Sequence, residues 1–396
     1  MIYRNFNLVV FINKIAIFLI YTFPFIPLFN IGSRVIQVET LVFILVLISF
    51  TIELSRISFG DLSKDNIILL FVLWLFSLLT VISLFYTSEV ILAQLQDLIY
   101  WLLSFSPLIL IRSKLNGVPT YNYIRSIMFS SIVGSLIVIL IKVSSDTVIR
   151  STGFMSSSNL AGVLFALAAI ISFGYYLEFK GKLALITFLI NIVAILSTGS
   201  RESLITLVIA IVIIGLLLFI KSRKQVMRWV LLVIVIFVAG LFILNKLLPD
   251  ILRRYLVTIT SISSGNESEI NFAFSDRIIL WKELVNWIIE NPLTPLGFQG
   301  LQITGTFGLY AHNMFLQSIV IGGLVGLIAF FLLIGIIYKY CLRVFLNQPS
   351  PISSSLLALL ISYSLTGMVS DHFLNFFTWN FIMFIVLRQH VEKQNL

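Results

Sequence analysis

The chain has 396 residues, of which 59% are hydrophobic and 11% charged, with a formal net charge of +9. A soluble domain carries roughly 25% charged residues, so this composition excludes a water-soluble globule. The single cysteine, Cys341, excludes an intramolecular disulfide and a cysteine-based metal cluster; the basic residues lie between apolar runs, not in a soluble basic stripe with interleaved aromatics, which sets nucleic acid aside.

A helix needs about 20 apolar residues to cross the hydrocarbon core. Arg4 is followed by an apolar run to Ile26, long enough to remain as a first span, and no small-residue cleavage site follows it. Spans are predicted at 9–30, 37–55, 67–86, 90–111, 124–143, 159–177, 183–198, 203–220, 229–248, 313–337, 352–370 and 373–388. The expected architecture is therefore all-α and polytopic. It is a single membrane domain, 1–396, of about 12 transmembrane helices with both termini cytoplasmic and one long external loop at 249–311.

Lysine and arginine set the orientation, because cytoplasmic loops retain them. With the N-terminus inside, sixteen basic residues fall on the cytoplasmic side and nine outside, Lys14 lies within the first span and is not assigned, and every inside loop is basic. The nine are Arg34, Lys142, Arg150, Arg201, Lys246, Arg253, Arg254, Arg277 and Lys282. Positive charge is disfavoured there, so each needs another reason to be present. Snorkelling to headgroups suits Arg34, Lys142 and Lys246, and surface anchoring suits Arg253 and Arg254.

Within the long loop, Ser261–Asn271 is polar and serine-rich and reads as mobile. An amphipathic helix follows. Ser275 is its expected N-cap and Asp276 lies in its first turn, where the dipole favours an anion. Ile278, Trp281, Leu284, Val285 and Ile288 form its apolar face, and Asn291-Pro292 stops it. Gly297, Gly300, Gly305 and Gly308 read as a flexible connection to Ala311-His312-Asn313, which opens the next span.

Four separated stretches together resemble the O-antigen polymerase and O-antigen ligase superfamily of bacterial envelope polysaccharide synthesis. They are Arg150–Phe154 with Ser158–Ala161; Leu196–Arg201; Arg277 with Trp281 and Asn291–Gly297; and Ala311–Gln317 leading into Gly322–Leu327. The resemblance rests on their order, spacing and intervening loop, and covers about Arg150 to Phe331. It implies a metal-independent glycosyltransferase, without a cofactor, at the outer face of a bacterial cytoplasmic membrane. Its donor is an undecaprenyl-pyrophosphate-linked glycan; its acceptor is a carrier-linked repeat unit in a polymerase, or lipid A-core or a related anchor in a ligase. Membrane lipids and a chain-length regulator complete the implied partners.

The residues suit that chemistry. A leaving diphosphate needs cations, and the planar fork of arginine binds two phosphate oxygens at once; Arg150, Arg201 and Arg277 are the expected pyrophosphate ligands. Arg201 stands beside Glu202 in a break too short for an ordinary loop, so a helix brace is its alternative role, as pairing with Asp276 is for Arg277. The attacking hydroxyl needs a base, and histidine changes charge near working pH. Of three histidines, His390 falls in the cytoplasmic tail, leaving His312 as the expected base and His372, beside Asp371, as its rival. Asn313, Asp371 and His372 are assigned to substrate binding.

Other readings fit less well. No motif spacing supports zinc, and a Ser200–His312–Asp371 hydrolase lacks a GxSxG turn. Twelve spans also suit a transporter or flippase of lipid-linked sugars, but the two halves show no internal repeat. A lead for polymerase over ligase rests on the Ile- and Phe-rich composition, an association with AT-rich polysaccharide loci.

Overall fold

A computed structural model describes residues 29–31, 34–36, 64–85, 91–104, 120–144, 151–152, 157–219, 249–264, 266–273, 277–298 and 311–370. The second, ninth and twelfth expected spans, and the first up to residue 28, lie outside them. Phe29 and Asn30, expected at the end of the first span, instead belong to a small antiparallel hairpin, β1 (Phe29–Ile31) with β2 (Arg34–Ile36), which pairs Ile31 with Arg34.

The other described elements are helices. α1 (Lys64–Ser83), α2 (Ile91–Ser104), α3 (Thr120–Ser144), α4 (Ser158–Phe179), α5 (Lys182–Thr198) and α6 (Arg201–Phe219) fall on the expected spans. α7 (Pro249–Ser264), α8 (Glu267–Ala273) and α9 (Arg277–Glu290) belong to the long loop, and α10 (Met314–Asn347) and α11 (Pro351–Thr366) return to the bundle. This is an all-α, polytopic membrane architecture: Ile127–Ser144 of α3, and α4, α6 and α10, are each long and apolar enough to cross a membrane. α10 runs on to Asn347, past its expected end near 337, so Lys339 and Arg343 stand on the helix itself.

Local chemistry explains the helix ends. Ser157 caps α4 by accepting from Leu160 N–H, and Ser350 and Ser353 form a reciprocal capping box on α11 with Pro351 at its first position. Gly199, at φ 60, ends α5 and lets the chain reverse into α6 within two residues.

α4 is the central helix: 89% of its apolar window is buried in protein, against 28% for α6. It packs on α5, α6 and α11, while α10 lies on α1 and α3 on α5. In lipid there is no hydrophobic force between apolar helices, so close approach and interhelical hydrogen bonds hold them. A Cβ on Gly162 would lie 2.5 Å from Ser203 Oγ of α6, and one on Gly174 would lie 2.0 Å from Ser355 Oγ of α11. Asn191 of α5 donates to Ser131 Oγ and accepts from Ser135 Oγ of α3. Trp74, Phe129, Leu140 and Leu216 point outward, as lipid-facing side chains do.

The stretch expected to be mobile is largely helical. Ser263 and Ser264 donate back to Thr260 and Ser261 carbonyls at the end of α7, and Asn266 Oδ1 accepts from Ser268 N–H and Oγ at the start of α8. Polar side chains there satisfy helix ends locally, which composition does not reveal.

α10 is broken at Gly322 (φ −137°, ψ 19°) and Gly323 (φ 62°, ψ −160°). The segment after α9 fills the break. Leu296 and Gly297 N–H donate to Val320 and Ile321 carbonyls at 2.9 and 3.2 Å, and Leu324 N–H donates to the Pro292 carbonyl at 2.9 Å. A Cβ on Gly323 would meet the Leu293 carbonyl at 2.9 Å. Gly297 (φ 76°) is buried, and a Cβ there would overlap Gln94 Oε1 at 1.7 Å. Its glycine thus serves a close approach, contrary to the flexible connection expected from the sequence.

Candidate active site

The stretches quoted from the sequence converge at one end of the bundle. The sharp α5–α6 turn puts Arg201 and Glu202 at the start of α6, both half-buried. Ser151 N–H donates to the Ser197 carbonyl at 3.2 Å, which brings the chain next to Arg150 against this turn; Arg150 itself lies outside the described residues.

Arg201 Nη1 donates to Thr258 Oγ1 of α7. Arg277, at the start of α9, donates through Nη1 to Glu202 Oε1 and to the Val369 carbonyl. The Arg277 and Glu202 side chains are only 14% and 13% exposed. Ser370 Oγ donates to Glu202 Oε2 at 2.6 Å. Among the described residues Glu202 is the acid paired with Arg277, and their pair fastens α6 to α9 and to the chain leaving α11. Asp276, the partner considered from sequence, lies outside the described residues, as do Asp371 and His372. Ser200 is buried, with its Oγ 2.7 Å from Ser203 Oγ.

His312 joins the same end by two routes. Trp281, one turn beyond Arg277 on α9, donates from Nε1 to the carbonyl of Ala311 at 2.8 Å. Met314 N–H donates to the Gly367 carbonyl at 2.8 Å, two residues before the Arg277 acceptor Val369. His312 is half-buried and has φ 50°, a left-handed backbone uncommon for a residue with a side chain. Asn313 caps α10: its Oδ1 accepts from Phe315 and Leu316 N–H at 2.9 and 3.1 Å. The expected substrate ligand thus has a structural task that sets the direction of α10.

The buried face of α9 differs from the expected one. Leu280 and Leu284 are buried, with Leu284, Trp287 and Ile288 against Leu296, Ala311 and Val320, while Val285 is exposed. α9 leans on the clasped part of α10, and this contact rotates the stripe away from Val285. Sequence reasoning also missed two amides. Gln94 Nε2 donates to the Leu296 carbonyl at 3.0 Å and its Oε1 accepts from Phe298 N–H at 3.1 Å. Gln317 Oε1 accepts from Ala311 N–H at 2.8 Å and its Nε2 donates to the Phe298 carbonyl at 3.4 Å. Gln317 is a lone amide in an apolar run, a signal that could have found it, whereas Gln94 is followed by Gln96 and Asp97 and does not stand out.

A cavity of about 580 Å³ between α10 and α11, lined by Tyr338, Lys339, Arg343 and Leu357 among others, lies toward the other end of α10. None of the candidate site residues lines it.

Residues 183–331 match the family model described as O-antigen ligase. The matched segment runs from α5 to beyond the α10 break and holds Arg201, Glu202, Arg277, Trp281 and His312. It supports placement with the O-antigen ligase and polymerase superfamily and, at the coarse level, a membrane enzyme of envelope polysaccharide synthesis. No curated protein matches the chain.

Proposed function

We propose that the protein is a glycosyltransferase at the outer face of a bacterial cytoplasmic membrane that polymerises undecaprenyl-pyrophosphate-linked oligosaccharide repeat units. The observation that carries the proposal is the gathering of Arg201, Arg277 and His312 at one end of the bundle through contacts among α6, α7, α9, α10 and the chain after α11.

In the proposed reaction His312 takes the proton of the acceptor hydroxyl as that oxygen attacks the anomeric carbon of the donor. The bond from that carbon to the pyrophosphate breaks, and the leaving diphosphate carries the electron pair. Arg201 and Arg277, with Arg150, neutralise it, so the reaction uses no metal. Glu202 and Thr258 hold the two described guanidinium groups where the diphosphate is to bind. The polyprenyl tail lies along the apolar faces of the spans. Asp371 and His372, which follow Ser370 directly, contribute to the polar wall. The whole chain forms one membrane domain with 249–311 outside, and a chain-length regulator is a candidate partner.

The description of the matching family favours a second reading, in which a ligase moves the same donor to lipid A-core or another surface anchor. One experiment separates the two. His312→Ala and Arg201→Ala are expressed in a deletion host, their membrane amounts are checked, and surface polysaccharide is run on a gel. Single repeat units on the anchor identify a lost polymerase, and full-length chains stranded on the carrier identify a lost ligase. Normal polysaccharide from both variants refutes the site and brings the transporter reading forward.

A further inference from the structure

The residue before His312 is held at both of its backbone polar groups. Ala311 is fully buried; its N–H donates to Gln317 Oε1 and its carbonyl accepts from Trp281 Nε1, each at 2.8 Å. After His312, Asn313 is fixed by capping α10 and Met314 N–H by the Gly367 carbonyl. His312 between them takes a left-handed φ of 50°. Such a backbone in a non-glycine residue costs roughly 1 kcal/mol or more and persists only where its surroundings impose it.

Neither gripping side chain is an obvious choice for packing alone. Gln317 is 2% exposed inside an apolar helix, and an amide buried there costs free energy unless its hydrogen bonds are made. Trp281 spends its indole N–H on the Ala311 carbonyl, and it sits one turn from Arg277 on the same helix. α9 therefore ties the guanidinium of Arg277 and the backbone of His312 to one rigid element.

Resting on the transferase reading above, we infer that Trp281 and Gln317 are positioning residues that aim the His312 imidazole by clamping the backbone of Ala311. Neither touches the reacting atoms. Their contribution is to hold the base in place before the acceptor arrives, and displacement of a base by about 1 Å can cost on the order of a hundredfold in rate.

The test uses full-length protein in nanodiscs with lipid-linked oligosaccharide extracted from membranes of the deletion strain. Trp281→Phe removes the indole N–H and keeps an aromatic ring. Gln317→Met removes both hydrogen bonds at similar volume, and Gln317→Glu, protonated in this apolar site, keeps an acceptor for Ala311 N–H and a donor for the Phe298 carbonyl. The clamp predicts that Trp281→Phe and Gln317→Met lower kcat about 10- to 100-fold with KM within about twofold. Gln317→Glu should then recover kcat to within about threefold of the parent. His312→Ala in the same assay separates the two layers of inference. If His312→Ala is inactive while Trp281→Phe and Gln317→Met keep the parent kcat, the clamp is wrong and the transferase reading stands. If His312→Ala keeps the parent kcat, His312 is not the base and the clamp falls with it, whereas absence of transfer by the parent protein overturns the transferase reading itself. A rise in KM alone, or activity losses in both variants matched by lost membrane protein, also overturns the clamp.

Discussion

The Arg277–Glu202 pair allows the reasoning to be tested in energetic terms, because both side chains are mostly withdrawn from solvent and Glu202 also accepts from Ser370. Glu202→Gln keeps an acceptor oxygen but removes the charge. Hydrogen bonds to charged groups contribute about 1.5–3 kcal/mol, and replacing them with neutral ones should cost about 2 kcal/mol. Arg277→Ala is expected to cost more, about 3–5 kcal/mol, because it strands the Glu202 carboxylate in a site with little water. The double variant should be less destabilised than the sum of the two, by about 1–3 kcal/mol, since the stranded charge is then gone. Thermal unfolding of detergent-solubilised protein, followed by loss of the monodisperse chromatographic peak, measures this cycle, with apparent midpoints as its readout. Additive effects would show that the two residues do not interact in the folded protein, and the account of how α6 and α9 are joined would fail. Transfer activity is a separate readout: the double variant should be about as stable as Arg277→Ala and equally inactive, because the diphosphate has lost a ligand.

Other predictions follow from single positions. Gly323→Ala places a Cβ 2.9 Å from the Leu293 carbonyl at φ 62°, and should lower stability by about 2–4 kcal/mol, read as an earlier midpoint and less protein in membranes. Gln94→Leu leaves the Leu296 carbonyl and Phe298 N–H without their partner, and should cost about 2–4 kcal/mol by the same assay. Asn313→Asp keeps the α10 cap and should retain most activity, whereas Asn313→Ala should lose about 1 kcal/mol of stability; a dead Asn313→Asp with normal stability would return that residue to substrate binding. Ser263→Cys on the exposed side of α7 should react with a membrane-impermeant maleimide added outside intact cells or spheroplasts, while buried Cys341 stays unlabelled; labelling only after lysis would invert the proposed orientation.

Much of the bundle was legible because a bilayer imposes a one-dimensional rule. About 20 apolar residues must run together, and α1, α3, α4, α5, α6, α10 and α11 lie where such runs occur. The sharp α5–α6 turn was likewise visible in Thr198-Gly199-Ser200 between two apolar stretches. The break in α10 was not. Gly322-Gly323 inside an apolar run reads as helix, and it opens because the 292–298 segment supplies hydrogen-bond partners from elsewhere in the chain. The buried face of α9 was misjudged at Val285 for the same reason, since periodicity gives a stripe but the neighbour decides which edge is covered.

For the site, residue type named Arg201, Arg277 and His312, because phosphate chemistry selects arginine and near-neutral proton transfer selects histidine. Sequence alone could determine that inventory and the membrane-spanning character of the chain. Only the tertiary structure decided that Glu202 takes Arg277, that Thr258 takes Arg201, and that Trp281 and Gln317 grip the backbone of Ala311 before His312. The physical reason is that hydrogen bonds and ion pairs act over about 3 Å, and which polar groups come that close across 6 to 75 residues of chain is set by how the helices pack.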